Sequence, residues 1–392
     1  MDARAKVRRR TVTVWAACLA ALAVPITSAR AAVDRASVSS AHGGQLQRSL
    51  DAVTAAGAVG VQAEVIGTDG RWRGVSGRAR LGGAQPVPRQ GRFRIGSITK
   101  SFIATVLLQL AAQGRVGLDD PVERYLPGRV PGGQHITVRQ LLNHTSGIAD
   151  YLDDAKTYPL AGQEFLEKVR FHTFPAEQLA RSGVALPRYF PPGKGWRYSN
   201  TNYVLAGLII EKVTGRSWQD EITRRIVRPL GLHNTTVPDS GPDIPGPHAH
   251  GYMTIDGRAL DITRMNPSIA GAGGAMISTT GDLDRFYAAL LGGRLLPATW
   301  LAEMKKTVPI PGGGPAKEAD GLGLDSMRLP CGVTVWGYDG GIVGYGSQSW
   351  HTADGHRHIS LSVTLRDLAD PRTTQILDAI QKTKNTAFCG TR

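Results

Sequence analysis

Ser97 and Lys100 lie three residues apart in Arg92-Phe93-Arg94-Ile95-Gly96-Ser97-Ile98-Thr99-Lys100-Ser101-Phe102. The stretch reads as the end of a strand or loop running into a helix. Residues three apart share a helical face, so the Lys100 ammonium and the Ser97 hydroxyl point into one space. A helix start adds unpaired backbone N–H groups and a positive dipole end beside the serine. That is the chemistry of an activated nucleophile with part of an oxyanion hole attached. A Ser-x-x-Lys tetrapeptide arises by chance in a chain of this length, so its weight depends on partners. Tyr198-Ser199-Asn200 offers two, after Pro191-Pro192-Gly193 and ahead of a helix. A Tyr and an amide two residues apart on an extended loop can face one cleft. A neighbouring ammonium favours the phenolate of Tyr198, which then serves as a general base. Asn200 can hydrogen-bond a substrate amide. A buried core Tyr followed by a loop-capping Asn leaves the same trace.

The elements that must position these residues follow from pattern. Residues 46–56 read as a short helix. Val59-Gly60-Val61-Gln62-Ala63-Glu64-Val65-Ile66-Gly67 alternates, turns at Thr68-Asp69-Gly70 and returns through residues 71–77 as an antiparallel hairpin. Residues 102–113 are apolar on every side, which marks a buried helix headed by Ser97. Residues 114–266 are mostly helical with long loops, including a capped helix at 137–142 and another at 202–213. Residues 183–196 read as a Pro- and Gly-rich loop. A helix at 279–291 is followed by strands at 333–338, 346–350 and 358–365 and a last helix at 373–384. Strands at both ends with helices between predict an α+β fold, with one antiparallel sheet formed by the two termini and flanked by helices, and a mostly helical insertion.

Composition bounds the rest. The 392 residues are 41% hydrophobic, enough for a sizeable core. The formal charge is +14, from 46 basic and 32 acidic residues. Residues 1–31 hold six of the bases and one acid, leaving 40 against 31 in the remainder. Those bases are scattered, with no basic run, which argues against nucleic-acid binding and suits an anionic cell envelope. Arg8-Arg9-Arg10, an apolar stretch over residues 11–26 and Ala29-Arg30-Ala31 read as a cleaved signal peptide, too short in its apolar part for a comfortable span. The arginines also allow the twin-arginine route, though the flanking residues fit it poorly. Residues 32–45 read as a flexible linker. Cys18 would leave with the signal peptide. Cys331 and Cys389 then form an even pair in an exported protein, so a disulfide is expected.

With Ser97-x-x-Lys100, Tyr198-x-Asn200 and a late Gly-rich strand, the chain resembles the penicillin-recognising serine hydrolases, and within them the secreted D-alanyl-D-alanine carboxypeptidase and class C β-lactamase-like group. Supporting stretches are Leu141-Leu142-Asn143-His144-Thr145-Ser146-Gly147, Phe190-Pro191-Pro192-Gly193, Tyr198-Ser199-Asn200-Thr201-Asn202-Tyr203, and Gly271-Ala272-Gly273-Gly274 with Ser278-Thr279. The resemblance implies a β-lactamase/transpeptidase-like domain over residues 46–390, its sheet part from about 46–96 and 270–390, its helical part from about 97–269. The family's third motif is usually Lys/His-x-Gly. Here the strand reads Trp336-Gly337-Tyr338-Asp339-Gly340-Gly341, and Tyr338 carries no positive charge near neutral pH. In similar carboxypeptidases this strand and a basic residue before the cysteine hold the substrate's terminal carboxylate. Asp325 stands at that second position. Asp325 and Asp339 would repel a carboxylate unless paired, and Arg328 would have to compensate.

The resemblance implies that Ser97 attacks an amide or ester carbonyl while Lys100 and Tyr198 share the proton work. The N–H groups of Ser97 and Gly341 would bind the oxyanion, with Asn200, Tyr338, Asp339, Gly340 and Gly341 lining the substrate site. The expected function is an exported D-alanyl-D-alanine carboxypeptidase-like hydrolase acting on cell-wall peptides, with a monomer favoured. The altered third motif raises an alternative: an esterase, D-amino-acid amidase or aminopeptidase, or β-lactamase of the same fold. A non-hydrolytic binding protein is the third reading. No cofactor or metal is expected: His248 and His250 have no third ligand near, and Gly312-Gly313-Gly314 lacks the strand–Gly–helix setting of a phosphate cradle. His144 reads as a structural loop histidine, and Asn234-Thr235-Thr236 as a chance match to a glycosylation acceptor.

Overall fold

The computed structural model describes residues 40–68, 70–312, 319–367 and 372–390. The expected signal peptide, with Cys18, and residues 32–39 of the expected linker lie outside them, as do Gly313 and Gly314. Helix α1 (Ser40–Ala55) starts within the stretch expected as linker. Leu46, Leu50 and Val53 form a fully buried stripe at helical spacing, and the turns before Leu46 continue the same hydrogen-bond ladder. Strands β1 (Gly60–Gly67) and β2 (Gly70–Gly77) form the hairpin, with Gly67 opposite Gly70.

Helix α2 (Thr99–Ala112) follows a single 3-10 turn, Gly96–Ile98. It is buried along nearly its whole length, and Phe102 stacks on Phe286 with centroids 3.7 Å apart. Further on, the helix at Val138–Leu142 begins with the reciprocal Thr137–Gln140 capping box that its sequence predicts. Next come α3 (Asn200–Thr214) and α4 (Thr280–Leu291). The chain then returns to the sheet through β3 (Val308–Pro309), β4 (Ala319–Asp320), β5 (Asp325–Arg328), β6 (Thr334–Ile342), β7 (Tyr345–Thr352) and β8 (His358–Thr364), and ends in α5 (Thr373–Cys389).

The sheet is antiparallel with the order β2-β1-β8-β7-β6-β5-β4-β3, so strands from the two chain ends meet at β1 and β8. Its register places Val61 opposite Val363, Ala63 opposite Leu361 and Val65 opposite Ile359. Those six side chains share one core with Leu46, Leu50 and Val53 of α1 and Ile376, Ile380 and Phe388 of α5. The alternate positions are polar but equally buried, because α4 packs over that face. Glu64 is paired with Arg71 and Arg73, and Ser360 donates to Asp284 at 2.6 Å. Alternation in these strands therefore separates an apolar core from a hydrogen-bonded one, and neither face is solvated.

Cys331 and Cys389 form a disulfide across 58 residues, tying the turn after β5 to the end of α5. On chain-entropy grounds a loop of that length contributes about 4 kcal/mol. Cys331→Ser is expected to lower the unfolding midpoint by roughly 5–10 °C in a thermal scan, while a reagent for the active serine still labels the folded protein. An unchanged midpoint would contradict this account.

Candidate active site

Ser97, the expected nucleophile, is placed by a close approach of backbones. Gly96 has φ +50°, and a Cβ there would sit 2.7 Å from the Gly341 carbonyl oxygen and 2.8 Å from its nitrogen. A Cβ on Gly340 would fall 2.0 Å from the Ile95 carbonyl oxygen. Glycine at both positions lets β6 lie directly against the turn that carries Ser97, and Ser347 Oγ pins the same Ile95 oxygen at 2.9 Å. The backbone of Gly341 thus lies beside the Ser97 turn, at the head of α2.

One helical turn on, Lys100 is fully buried. Its Nζ lies 2.8 Å from Asn200 Oδ1, 2.6 Å from the Gly273 carbonyl and 3.1 Å from Ser97 Oγ. Burial pushes its pKa down to about 7, against the opposing pull of Asp150, Asp320 and Asp325. A neutral amine donates two hydrogens, which the Asn200 and Gly273 oxygens accept. Its lone pair then faces Ser97 Oγ, the geometry of a general base.

Tyr198 OH lies 2.6 Å from Ser97 Oγ. Its ring packs against His144 at 4.5 Å and faces Lys100 Nζ at 4.8 Å. Burial raises the Tyr198 hydroxyl well above its ordinary range, so the group is a phenol and not the phenolate that proximity to an ammonium suggested. His144 adopts φ +57° and accepts the Ser199 N–H at Nδ1 (3.2 Å). Burial, and Lys100 next, hold it far below the usual histidine range, so it stays neutral and holds the Tyr198-Ser199 turn in place. Asp150, which the motifs did not single out, accepts both the backbone N–H (2.9 Å) and the side-chain Nδ2 (2.7 Å) of Asn200. Its sequence signal is faint: an acid three residues after the Ser146-Gly147 turn.

These side chains open onto a cavity of about 630 Å³. Ser97, Tyr198, Asn200, Tyr338, Asp339, Gly340 and Gly341 all line it, as do Val363 and Ile376 on the α5 side of the sheet. The carboxylate of Asp339 is held on that α5 side. Tyr338 and Asp339 alternate across β6, and the Asp339 carboxylate is taken by Trp350 Nε1 (2.6 Å) and Gln348 Nε2 (3.1 Å), with Lys384 of α5 its main electrostatic partner. It is thus neutralised by its own surroundings. Arg328 is exposed at the end of β5 and does not line the cavity. Asp325 does, and it is paired: it lies opposite Asp320 on β4, and the two carboxyl groups share a hydrogen bond. Asp320 is 1% exposed, accepts from Trp196 Nε1 at 2.8 Å, and is pushed up to about 7 by burial. None of the described residues lining the cavity is Lys, Arg or His.

Among the described residues no group of three His, Cys, Asp or Glu side chains is placed to hold a metal ion. His250 is engaged by Asp261 and Arg80, and His248 by the Gly246 carbonyl. No described helix is long and apolar enough to cross a membrane.

A serine, a buried lysine and a tyrosine at the junction of this sheet and these helices define a serine hydrolase of the β-lactamase and penicillin-binding-protein kind. The family description Beta-lactamase matches residues 46–379, and the chain belongs to that family. Penicillin-binding protein 4* of Bacillus subtilis (strain 168) is 35% identical over 179 residues, which is 45% of this chain and 38% of the relative, so the match spans well under half of that curated protein. Two solved structures align over nearly their full length. A D-stereospecific amidohydrolase from Streptomyces sp. is 43% identical with a TM-score of 0.80, covering 89% of this chain and 99% of its own. The D-amino acid amidase from Ochrobactrum anthropi SV3, complexed with L-phenylalanine amide, is 31% identical with a TM-score of 0.74, covering 88% and 100%.

With Lys100 as the base, which requires it to be neutral, kcat/KM is expected to rise with pH through about 7 and then level off. Asp320 titrates in the same range, so the limb belongs to both groups. Asp320→Asn should retain a limb of single-ionisation steepness. A wild-type profile flat from pH 5 to 9 would rule out Lys100 as the base.

Proposed function

We propose that the protein is an exported serine amidohydrolase that forms an acyl-enzyme at Ser97 with amides and esters whose leaving group bears no carboxylate, amino-acid amides of D configuration foremost. The observation that carries this reading is the cavity wall: Tyr338, Asp320 and Asp325 stand where a cation would be needed to hold a terminal carboxylate, and none of the described lining residues supplies one. The D-stereospecific amidohydrolase and D-amino acid amidase likenesses support the substrate class. The leader-like residues 1–31 support export.

In this mechanism Ser97 Oγ attacks the carbonyl as Lys100 Nζ takes its proton. The backbone N–H groups of Ser97 and Gly341 hold the developing oxyanion. The Tyr198 phenol gives its proton to the departing amine as the C–N bond breaks, and recovers one from Lys100. Water then attacks the ester by the same route in reverse, restoring Ser97 and releasing the acid.

A fluorophosphonate probe is expected to add to Ser97 in the wild-type protein and not in Ser97→Ala, with kcat of the variant falling by about a millionfold. In a substrate panel, D-phenylalanine amide and D-amino-acid aryl esters are expected to turn over, and an N-acyl-D-Ala-D-Ala peptide to release D-alanine at least ~100-fold more slowly, the scale of losing a charge-paired carboxylate contact. Faster release of D-alanine would instead establish the carboxypeptidase reading.

A further inference from the structure

We infer that Asp150 is a positioning residue for the proton transfer from Ser97, acting through the side-chain amide of Asn200. This rests on the reading of Ser97 as nucleophile and Lys100 as base. An amide side chain can present either its oxygen or its nitrogen to a neighbour, and the two choices have opposite effects on a lysine. With the oxygen toward Nζ, Asn200 consumes one lysine hydrogen and leaves the lone pair for Ser97. With the nitrogen toward Nζ, donor meets donor and the lone pair is drawn away from the serine. Asp150 decides between them. Its Oδ2 accepts Asn200 Nδ2 at 2.7 Å, which leaves Asn200 Oδ1 aimed at Lys100 Nζ, 2.8 Å away.

Asp150 is itself firmly held. It lies in the turn that follows the Ser146-Gly147 stretch, and its Oδ1 accepts the Leu152 N–H at 3.1 Å. Its Oδ2 also accepts the backbone N–H of Asn200, the first residue of α3. The local serine does not do this: Ser199 precedes α3 in extended conformation, but its side chain makes no cap and its Oγ has no hydrogen-bond partner. A residue fifty positions upstream therefore caps α3 and, with the same oxygen, orients the amide beside the base. A carboxylate at a helix N-terminus is favoured in its charged form, which helps it remain an acceptor despite its burial. The groups facing Lys100 from other elements are Asp320 and Asp325 across the cavity, the Tyr198 and Tyr203 rings, and neutral His144.

Capping alone would make Asp150 structural, so the test separates the two roles. Asp150→Ala is expected to lower kcat by ~10- to 100-fold, the range for partners that orient a first contact, with KM within about twofold. Fluorophosphonate addition to Ser97 should slow in parallel. In an Asn200→Ala background the same substitution should cost less than about twofold in kcat, since the amide it orients is gone. Asp150→Asn keeps an acceptor for Asn200 but removes the carboxylate with the largest pull on Lys100, and should move the acid limb of kcat/KM to lower pH. If Asp150→Ala loses stability but costs the same in both backgrounds, and Asp150→Asn leaves the limb in place, Asp150 is a cap and the inference fails. If the wild-type protein is not labelled at Ser97, the underlying reading fails instead.

Discussion

Everything in the site depends on one buried amine. Taking an ammonium out of water costs several kcal/mol unless fixed groups replace the lost hydration. Lys100 is replaced into a setting with two fixed oxygens, Asn200 Oδ1 and Gly273 O, and one reactive one, Ser97 Oγ. Those three oxygens come from three distant parts of the chain. Asn200 opens α3, Gly273 ends a 3-10 turn ahead of α4, and Ser97 lies on the turn entering α2. The helical insertion and the sheet must therefore dock correctly before Lys100 acquires its shifted pKa. Activation of the serine is thus a product of the whole fold, since the Ser-x-x-Lys spacing sets proximity alone.

The second constraint is steric. The proposed oxyanion donors belong to two elements, the Ser97 turn and β6, and can converge only if the two backbones touch. Gly96 and Gly340 remove the Cβ atoms that would keep them apart. The same contact sets the phase of β6. Once Gly340 packs against Ile95, alternation sends the Tyr338 ring to the core that holds Tyr198 and Tyr203, and Asp339 to Trp350. Tyr338, at the Lys/His position of the third motif, therefore packs into that core while also lining the cavity.

The features that could be read from sequence are those carried by local pattern: the apolar helix behind Ser97, the β1–β2 hairpin, the Thr137–Gln140 cap and the meeting of both chain ends in one sheet. Features that depend on register or on contacts across many residues were not legible. Pattern alone does not show that Asp320 faces Asp325, because β4 is two residues long and its partner is chosen by the turn. Nor does it reveal that Ser360 and His358 are buried, since polar alternation normally marks solvent and here marks a second core beneath α4. Asp150 escapes for the opposite reason: a serine directly before α3 looks like a sufficient cap, and only the folded chain shows it unused. The helix start at Ser40 was hidden by a composition that resembles a linker.

The acid wall and the lysine also bear on one another. Asp320 is raised toward neutrality by burial while Lys100 is lowered toward it, so two groups of opposite charge type share one titration range within a single cavity. Each weakens the other's shift, because the negative charge on one favours the positive charge on the other. A substrate that excludes water from the cavity strengthens that coupling, and a cationic or neutral substrate alters it differently from an anionic one. An incoming carboxylate would add negative charge beside the Asp320–Asp325 pair, favour the protonated lysine and so oppose formation of the neutral base. On the proposed reading, selection against carboxylates would act through the proton chemistry as well as through the wall, even though the chain as a whole is strongly basic.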